Sequence, residues 1–394
     1  MSAALFRFIL FTLYFILSNM KIGFEAKRAF KNFTGLGNYA RSVIQILANQ
    51  YPENQYFIYS PDLVKNSRTD FLFHLKNGTI KTAPFKFFKS FWRSKGVIKD
   101  LLKDEVEIYH GLSHEIPSGL KNKGIKSVVT MHDLIYLRYP QYFKTLDRKI
   151  YDLKFRSACK HADRIIAISE QTKKDIIHFF GTDQDKIEVV YQGCDAIFYL
   201  PSSTENLAEV RLKYQLPKDY LLCVGTLENR KNQLLILKAL LQLPKHIQLV
   251  LVGKPTLYEQ ILRDFISTNS LENRVKIISN VDFTDLPAIY QQAKIFVYPS
   301  IFEGFGIPIL EALNSGIPVI AAKGSCLEEA GGPNSLYIQP HNELALRSAI
   351  SQILDNEPLK NEMIEKGKQF ALNFREENIA KNLMRVYQKT TQYA

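Results

Sequence analysis

Short apolar runs alternate with amphipathic stretches along almost the whole of this 394-residue chain. Six runs in the first half read as buried strands: Ile22–Ala26, Tyr56–Tyr59, Ile108–His110, Ser127–Met131, Arg164–Ile168 and Ile187–Tyr191. Six more follow: Tyr220–Val224, Ile247–Val252, Val275–Ile278, Ile295–Pro299, Val319–Ala322 and Ser335–Ile338. Strands that are apolar throughout, with helices between them, pack as parallel sheets covered on both faces. Two such series exceed what one core serves. The expected fold class is therefore α/β, with two doubly wound, Rossmann-like domains facing across a cleft. The first is expected over residues 20–200 and the second over 218–372. A linker at 201–217, marked by Pro201-Ser202-Ser203-Thr204 and Pro217, separates them. A last helix, 373–394, is placed to cross back to the first domain. Ligands of such sheets bind beyond the carboxyl ends of the strands, so a site is expected between the domains.

Composition narrows the class. With 46% hydrophobic and 23% charged residues, the chain is neither disordered nor fibrous. Four scattered cysteines, with no Cys-x-x-Cys pair, argue against a disulfide scaffold or a structural zinc site and suit a reducing, cytoplasmic compartment. Residues 1–200 hold 30 Lys and Arg against 19 Asp and Glu, whereas the remainder holds 21 against 20. Nearly all of the +12 net charge thus belongs to the first domain, which points to an anionic partner for that half alone. Residues Ala3 to Leu17 are almost wholly apolar apart from Arg7 and are short for a membrane span. A strand begins at once with Met20-Lys21-Ile22. The expectation is that residues 1–19 are an extension upstream of a start at Met20, with a membrane anchor as the alternative.

Four segments carry chemistry. Thr34-Gly35-Leu36-Gly37-Asn38-Tyr39-Ala40 follows the first strand and opens a helix. Its glycines allow close backbone approach, and helix-start amides favour an anion. Its Gly-x-Gly-x-x-Ala spelling also fits a dinucleotide site, although eight residues separate it from the strand. Val128-Val129-Thr130-Met131-His132-Asp133-Leu134 puts His132 at a strand's carboxyl tip, where it could orient a hydroxyl. Gly225-Thr226-Leu227-Glu228-Asn229-Arg230-Lys231-Asn232 opens the second domain's first strand-to-helix turn, and Arg230 with Lys231 suits a diphosphate. Tyr298-Pro299-Ser300-Ile301-Phe302-Glu303-Gly304-Phe305-Gly306-Ile307-Pro308-Ile309-Leu310-Glu311 is a loop entering a helix, with Pro308 in its first turn. Gly304 and Gly306 bare backbone amides there, and Glu303 and Glu311 can accept hydrogen bonds from sugar hydroxyls. Asp183-Gln184-Asp185 has a metal–nucleotide spelling but lies at the amino end of a strand, so it reads as a polar loop.

Together these segments resemble the GT-B fold glycosyltransferases of the large retaining family that contains sucrose synthase and many bacterial mannosyltransferases. Ile166-Ala167-Ile168-Ser169, Val190-Tyr191-Gln192-Gly193-Cys194-Asp195 and Gly324-Ser325-Cys326-Leu327-Glu328-Glu329-Ala330-Gly331 add to the likeness, which runs from Met20 to the C-terminus. The resemblance implies a nucleotide-sugar donor, GDP- or UDP-linked, and neither metal nor cofactor. Gly35, Gly37, Arg230, Lys231, Gly304, Phe305, Gly306, Glu311 and Glu329 would hold the donor. Within that set, Glu311 would take the ribose, and the two cations the diphosphate. Glu303, His132 and Lys231 would be catalytic. Thr226 departs from relatives that carry Arg there, and Arg230 is expected to supply that charge. The acceptor would be a saccharide or lipid-linked saccharide in surface polysaccharide or lipopolysaccharide assembly.

Pro84 to Lys95 mixes aromatics with cations. Rings and cations interleaved in this way suit a membrane interface. Lys86, Phe88, Lys89, Trp92, Arg93 and Lys95 are accordingly expected to meet an acceptor or the inner face of the plasma membrane. Nucleic acid is not expected as a partner. A nucleotide-sugar epimerase of the same fold, an NAD-dependent dehydrogenase and a non-catalytic sugar-nucleotide-binding subunit are the competing readings.

Overall fold

The computed structural model describes residues 19–84 and 88–392. Lys86 and residues 1–18 of the apolar extension lie outside them. Seven strands form the first sheet: β1 (Lys21–Glu25), β2 (Gln55–Ser60), β3 (Gly78–Thr82), β4 (Ile108–Gly111), β5 (Lys126–Met131), β6 (Arg164–Ala167) and β7 (Ile187–Val189). Six form the second: β8 (Tyr220–Val224), β9 (Gln248–Val252), β10 (Val275–Ile278), β11 (Ile295–Tyr298), β12 (Val319–Ala322) and β13 (Leu336–Ile338). The orders are β3-β2-β1-β4-β5-β6-β7 and β10-β9-β8-β11-β12-β13, with every pair parallel. Both are doubly wound, so strand order reverses between β1 and β4 and again between β8 and β11. Those two crevices are where ligands of such sheets bind. Strand β3 was not expected from the sequence. Its run Gly-Thr-Ile-Lys-Thr has one apolar residue, because an edge strand is covered less than a central one.

The helices that matter for the site are α1 (Gly35–Gln50), α2 (Thr145–His161), α3 (Glu170–Phe180), α4 (Thr204–Tyr214), α5 (Gln233–Leu240), α6 (Ile307–Asn314), α7 (Leu327–Gly331) and α8 (Glu376–Gln392). Helix α1 buries Tyr39, Ala40, Val43, Ile44 and Leu47, an i, i+4, i+8 stripe laid on the first sheet. The segment expected as a linker is helical. Ser203 accepts the Asn206 N–H to start α4, and Arg211 and Tyr214 bond to Gln292 and Asp285 of the second domain. Its amphipathic pattern is weak, which hid it. Helix α8 returns to the first sheet. Its Tyr387 hydroxyl meets His110 Nδ1 on β4 at 2.7 Å, and His110 Nε2 meets Thr130 on β5 at 2.8 Å. Among the described residues, no helix is long and apolar enough to cross a membrane.

Candidate active site

The turn after β8 and the loop after β11 converge on one carboxylate. Asn232 adopts a left-handed conformation (φ 60°), and its side-chain amide donates to the carbonyls of Pro299 and Pro340 at 3.1 and 2.6 Å. That fixes the Arg230-Lys231 turn against the β11 loop. Glu303 then receives Arg230 Nη1 at 2.8 Å and Lys231 Nζ at 2.7 Å, and it accepts hydrogen bonds from the Ser300 and Tyr298 hydroxyls. Burial alone would push the Glu303 pKa up. The charges of Lys231 and Arg230 outweigh it and bring the group down to about 2. Tyr298 also accepts from Lys231 Nζ at 2.7 Å. The Cys326 thiol donates to the carbonyls of Glu303 and Phe305 at 3.0 and 2.8 Å, which pins the loop from behind.

Pro308 opens α6, and one turn later Glu311 accepts the Tyr290 hydroxyl at 2.7 Å. Burial, reinforced by the nearby Asp195 charge, raises Glu311 to about 7 despite that hydrogen bond. Gly306 caps α6 and packs where a Cβ would stand 2.9 Å from the Ala330 methyl. The Phe305 ring is buried against Tyr191 and Phe374, so of that residue only the backbone is available to a donor.

In the first domain, His132 is buried at the tip of β5. Its Nε2 meets the Leu112 carbonyl at 2.9 Å. A carbonyl only accepts, so Nε2 carries the proton. Burial lowers the ring's pKa to about 4, and the neutral ring therefore keeps Nδ1 as a hydrogen-bond acceptor at pH 7. Tyr39 and His114 stand edge-on to it, with centroids 4.6 and 5.0 Å away.

The two halves meet directly. The Gly304 carbonyl accepts the Ser169 hydroxyl at 2.8 Å. Arg138 of the first domain stacks on Phe302 at 5.2 Å. Burial raises the pKa of Asp133, a rise that Glu303 strengthens and Arg230 opposes. The Glu303 cluster and the His132–Asp133 strand end thus face one cleft.

Two expected donor residues have other partners. The Gly37 N–H is capped by the Thr34 carbonyl and Asn32 Oδ1 at 3.0 and 3.2 Å, and a Cβ at Gly37 would stand 1.7 Å from the Asn32 carbonyl oxygen. Gly37 serves close packing there, whereas Gly35 is exposed with open space beside it. The Glu329 carboxylate accepts the backbone N–H groups of Glu170 and Gln171 at 2.6 and 3.0 Å, so it caps α3 across the domain boundary.

The aromatic-basic segment differs most from its reading. Trp92 is buried in the first domain, with its indole N–H on Asp100 at 2.7 Å, so it is core rather than membrane anchor. Lys89 pairs with Asp62, and Arg93 with Glu25 and Glu115 at 3.3 and 3.0 Å. Periodicity brought Trp92 inward, and a sequence does not show which cations already have partners. Phe88, Phe91 and Lys95 are exposed. Ser300, Tyr290, Cys326, Ser169 and His114 were not singled out. Ser300, Cys326 and Ser169 lie in the segments that carry the resemblance, but Tyr290 has no local signal and reaches Glu311 only through packing.

Residues 208–370 match the family described as glycosyl transferases group 1, and residues 34–197 match glycosyltransferase family 4. The chain is 30% identical to the O-antigen chain mannosyltransferase B of Escherichia coli over 285 residues, which is 71% of this chain and 74% of that protein. It is 27% identical to the serotype-specific mannosyltransferase WbdA of the same organism, over 64% of this chain but about a third of that longer protein (32%). Sucrose-phosphate synthase from Thermosynechococcus elongatus superposes with a TM-score of 0.76 at 20% identity, covering 95% of this chain and 100% of that one. Two parallel-sheet domains, the cleft between them and these matches lead to one conclusion: the chain belongs to the group 1 glycosyltransferases and has the GT-B fold.

Proposed function

We propose that this protein is a retaining mannosyltransferase that moves mannose from GDP-mannose to a saccharide or lipid-linked saccharide during surface polysaccharide assembly. The names of the Escherichia coli relatives support the sugar and the process. The observation that carries the reading is the Arg230–Lys231–Glu303 cluster facing His132. A leaving diphosphate gains charge in the transition state, and two fixed cations in a largely buried site stabilise it. Glu303 is held ionised and can accept hydrogen bonds from the donor sugar. Glu311 can take the ribose hydroxyls. Neutral His132 can accept from a hydroxyl through Nδ1. Arg230 and Lys231 supply the positive charge that a metal would otherwise bring, so the reaction is proposed to be metal-independent. The acceptor hydroxyl attacks the face the diphosphate leaves, through a short-lived oxocarbenium ion pair, and the diphosphate takes its proton. Configuration is retained without a protein nucleophile. The work is placed at the cytoplasmic face of the plasma membrane, with exposed Phe88, Phe91 and Lys95 as the membrane contact.

Melting in the presence of GDP, UDP, ADP and NAD tests the donor. A ligand at a hundred times its dissociation constant adds about 2.7 kcal/mol. GDP should stabilise, and both Lys231→Ala and Glu311→Ala should abolish the shift. Stabilisation by NAD alone would overturn the reading. Incubation with GDP-mannose and acceptor in EDTA should give an α-linked product by NMR; conversion to another sugar nucleotide without acceptor would identify an epimerase.

A further inference from the structure

The chain crosses between its domains twice, after β7 and again before α8. The two crossings pack on each other, so that a Cβ at Gly193 would stand 2.7 Å from the Phe374 carbonyl oxygen. Beside them lies a cavity of about 540 Å³. That is within the roughly 300–1,000 Å³ typical of small-ligand pockets. Tyr191 lines it from the first domain, and Tyr337 of β13 with Glu328 and Glu329 of α7 from the second. Phe370 and Phe374 close it from the segment that leads into α8. Neither the Arg230–Lys231–Glu303 cluster nor His132 lines it, so it is distinct from the cleft.

Its walls have the chemistry of a cation site with an apolar lining. Four aromatic rings and two carboxylates line the cavity, and among the described residues no lysine or arginine does, in a chain whose net charge is +12. The face of an aromatic ring is negative and attracts a weakly hydrated cation. Glu329 already holds the Glu170 and Gln171 N–H groups. Glu328 is exposed, and its carboxylate accepts the Gly324 N–H at 3.3 Å, which leaves its charge unneutralised. An anion would meet both carboxylates. A hard metal ion takes six or more oxygens, which two carboxylates set among rings do not supply. An organic ammonium ion satisfies both kinds of wall, with its charge toward the carboxylates and its alkyl groups against the rings.

The same rings support the Glu303 loop. Tyr191 stacks on Phe305 with centroids 5.5 Å apart, and Phe374 packs on Phe305 at 5.7 Å. Across the cavity, Glu329 caps α3 of the first domain. A ligand bound there touches both domains and the residues that hold the loop.

We propose that this cavity is an effector site for an organic ammonium ion, and that its occupant steadies the Glu303 loop. Saturation-transfer NMR on the full-length protein with choline and with benzyltrimethylammonium should show binding of at least one. 3,3-Dimethylbutan-1-ol, the neutral isostere of choline, should bind at least tenfold more weakly than the cation. Glu328→Lys places a like charge at the cavity, and Asn373→Trp fills it from an exposed position. Each should raise the dissociation constant of the cation at least tenfold, and a ligand-free melting temperature close to that of the wild type would report that the variant is folded. Amide hydrogen exchange at Gly304, Phe305 and Gly306 should slow at least twofold when the cation is bound. No binding of either cation, equal binding of the neutral isostere, or unchanged binding in both folded variants overturns the site. Unchanged exchange at Gly304 to Gly306 under saturating cation overturns its coupling to the loop. None of these readouts requires a nucleotide or an acceptor, so their outcome is independent of the donor reading.

Discussion

Gly304 of the second domain lies so close to His132 of the first that a Cβ on it would stand 2.2 Å from the His132 carbonyl oxygen. The loop that carries Glu303 is thereby seated on the strand end that carries His132. No side chain fits between them, which is the physical reason for glycine at this point. Ser169 completes the seat by donating to the Gly304 carbonyl.

Gly304→Ala should therefore force the domains apart. Overpacking of this kind costs about 1–3 kcal/mol. Calorimetry should show a lower melting temperature, and initial rates of sugar transfer should fall at least tenfold. A variant with wild-type rate would show that this contact is not needed for catalysis.

Glu303 has a folded pKa of about 2 against an ordinary 4.5. A depressed carboxylate contributes stability that is fully present above pH 4.5 and lost as pH falls toward 2. The shift corresponds to about 3 kcal/mol. Urea unfolding of wild type and Glu303→Gln should differ most near neutrality, with the gap narrowing from pH 5 to pH 3. A gap that does not change with pH would mean that the ion pairs with Arg230 and Lys231 do not form.

Glu311 behaves in the opposite sense. Its folded pKa of about 7 lies above the ordinary 4.5, so the buried carboxylate costs stability that grows as pH rises from 4.5 to 7. Glu311→Gln should be more stable than wild type at pH 8, by about 1–2 kcal/mol. A ribose that donates hydrogen bonds favours the ionised form. Calorimetric GDP affinity should accordingly tighten from pH 6 to pH 8 in the wild type, and this dependence should vanish in Glu311→Gln. Equal affinity at both pH values in the wild type would remove Glu311 from the nucleotide site.

Trp92→Ala should cost about 3–5 kcal/mol, because it empties a core position and orphans Asp100. Phe88→Ala, at an exposed ring, should leave the melting temperature unchanged. Flotation with anionic vesicles should weaken for Phe88→Ala combined with Phe91→Ala. Equal flotation would exclude this segment as a membrane contact.

The sequence by itself determined the α/β class, the two domains and the main polar residues of the cleft. Central strands buried on both faces must be apolar throughout, so twelve of the thirteen were visible as runs. Arg230, Lys231, Glu303 and Glu311 lie within two short segments at strand ends, where the fold class alone places ligands. Tertiary structure decided what sequence distance conceals. Tyr290 and Glu311, 21 positions apart, share one hydrogen bond. Ser169 and Gly304, 135 apart, share another. It also decided which charges are already paired: Arg93 belongs to Glu25 and Glu115, and Glu329 to a helix cap, because partners are fixed by packing in space and leave no periodic trace along the chain.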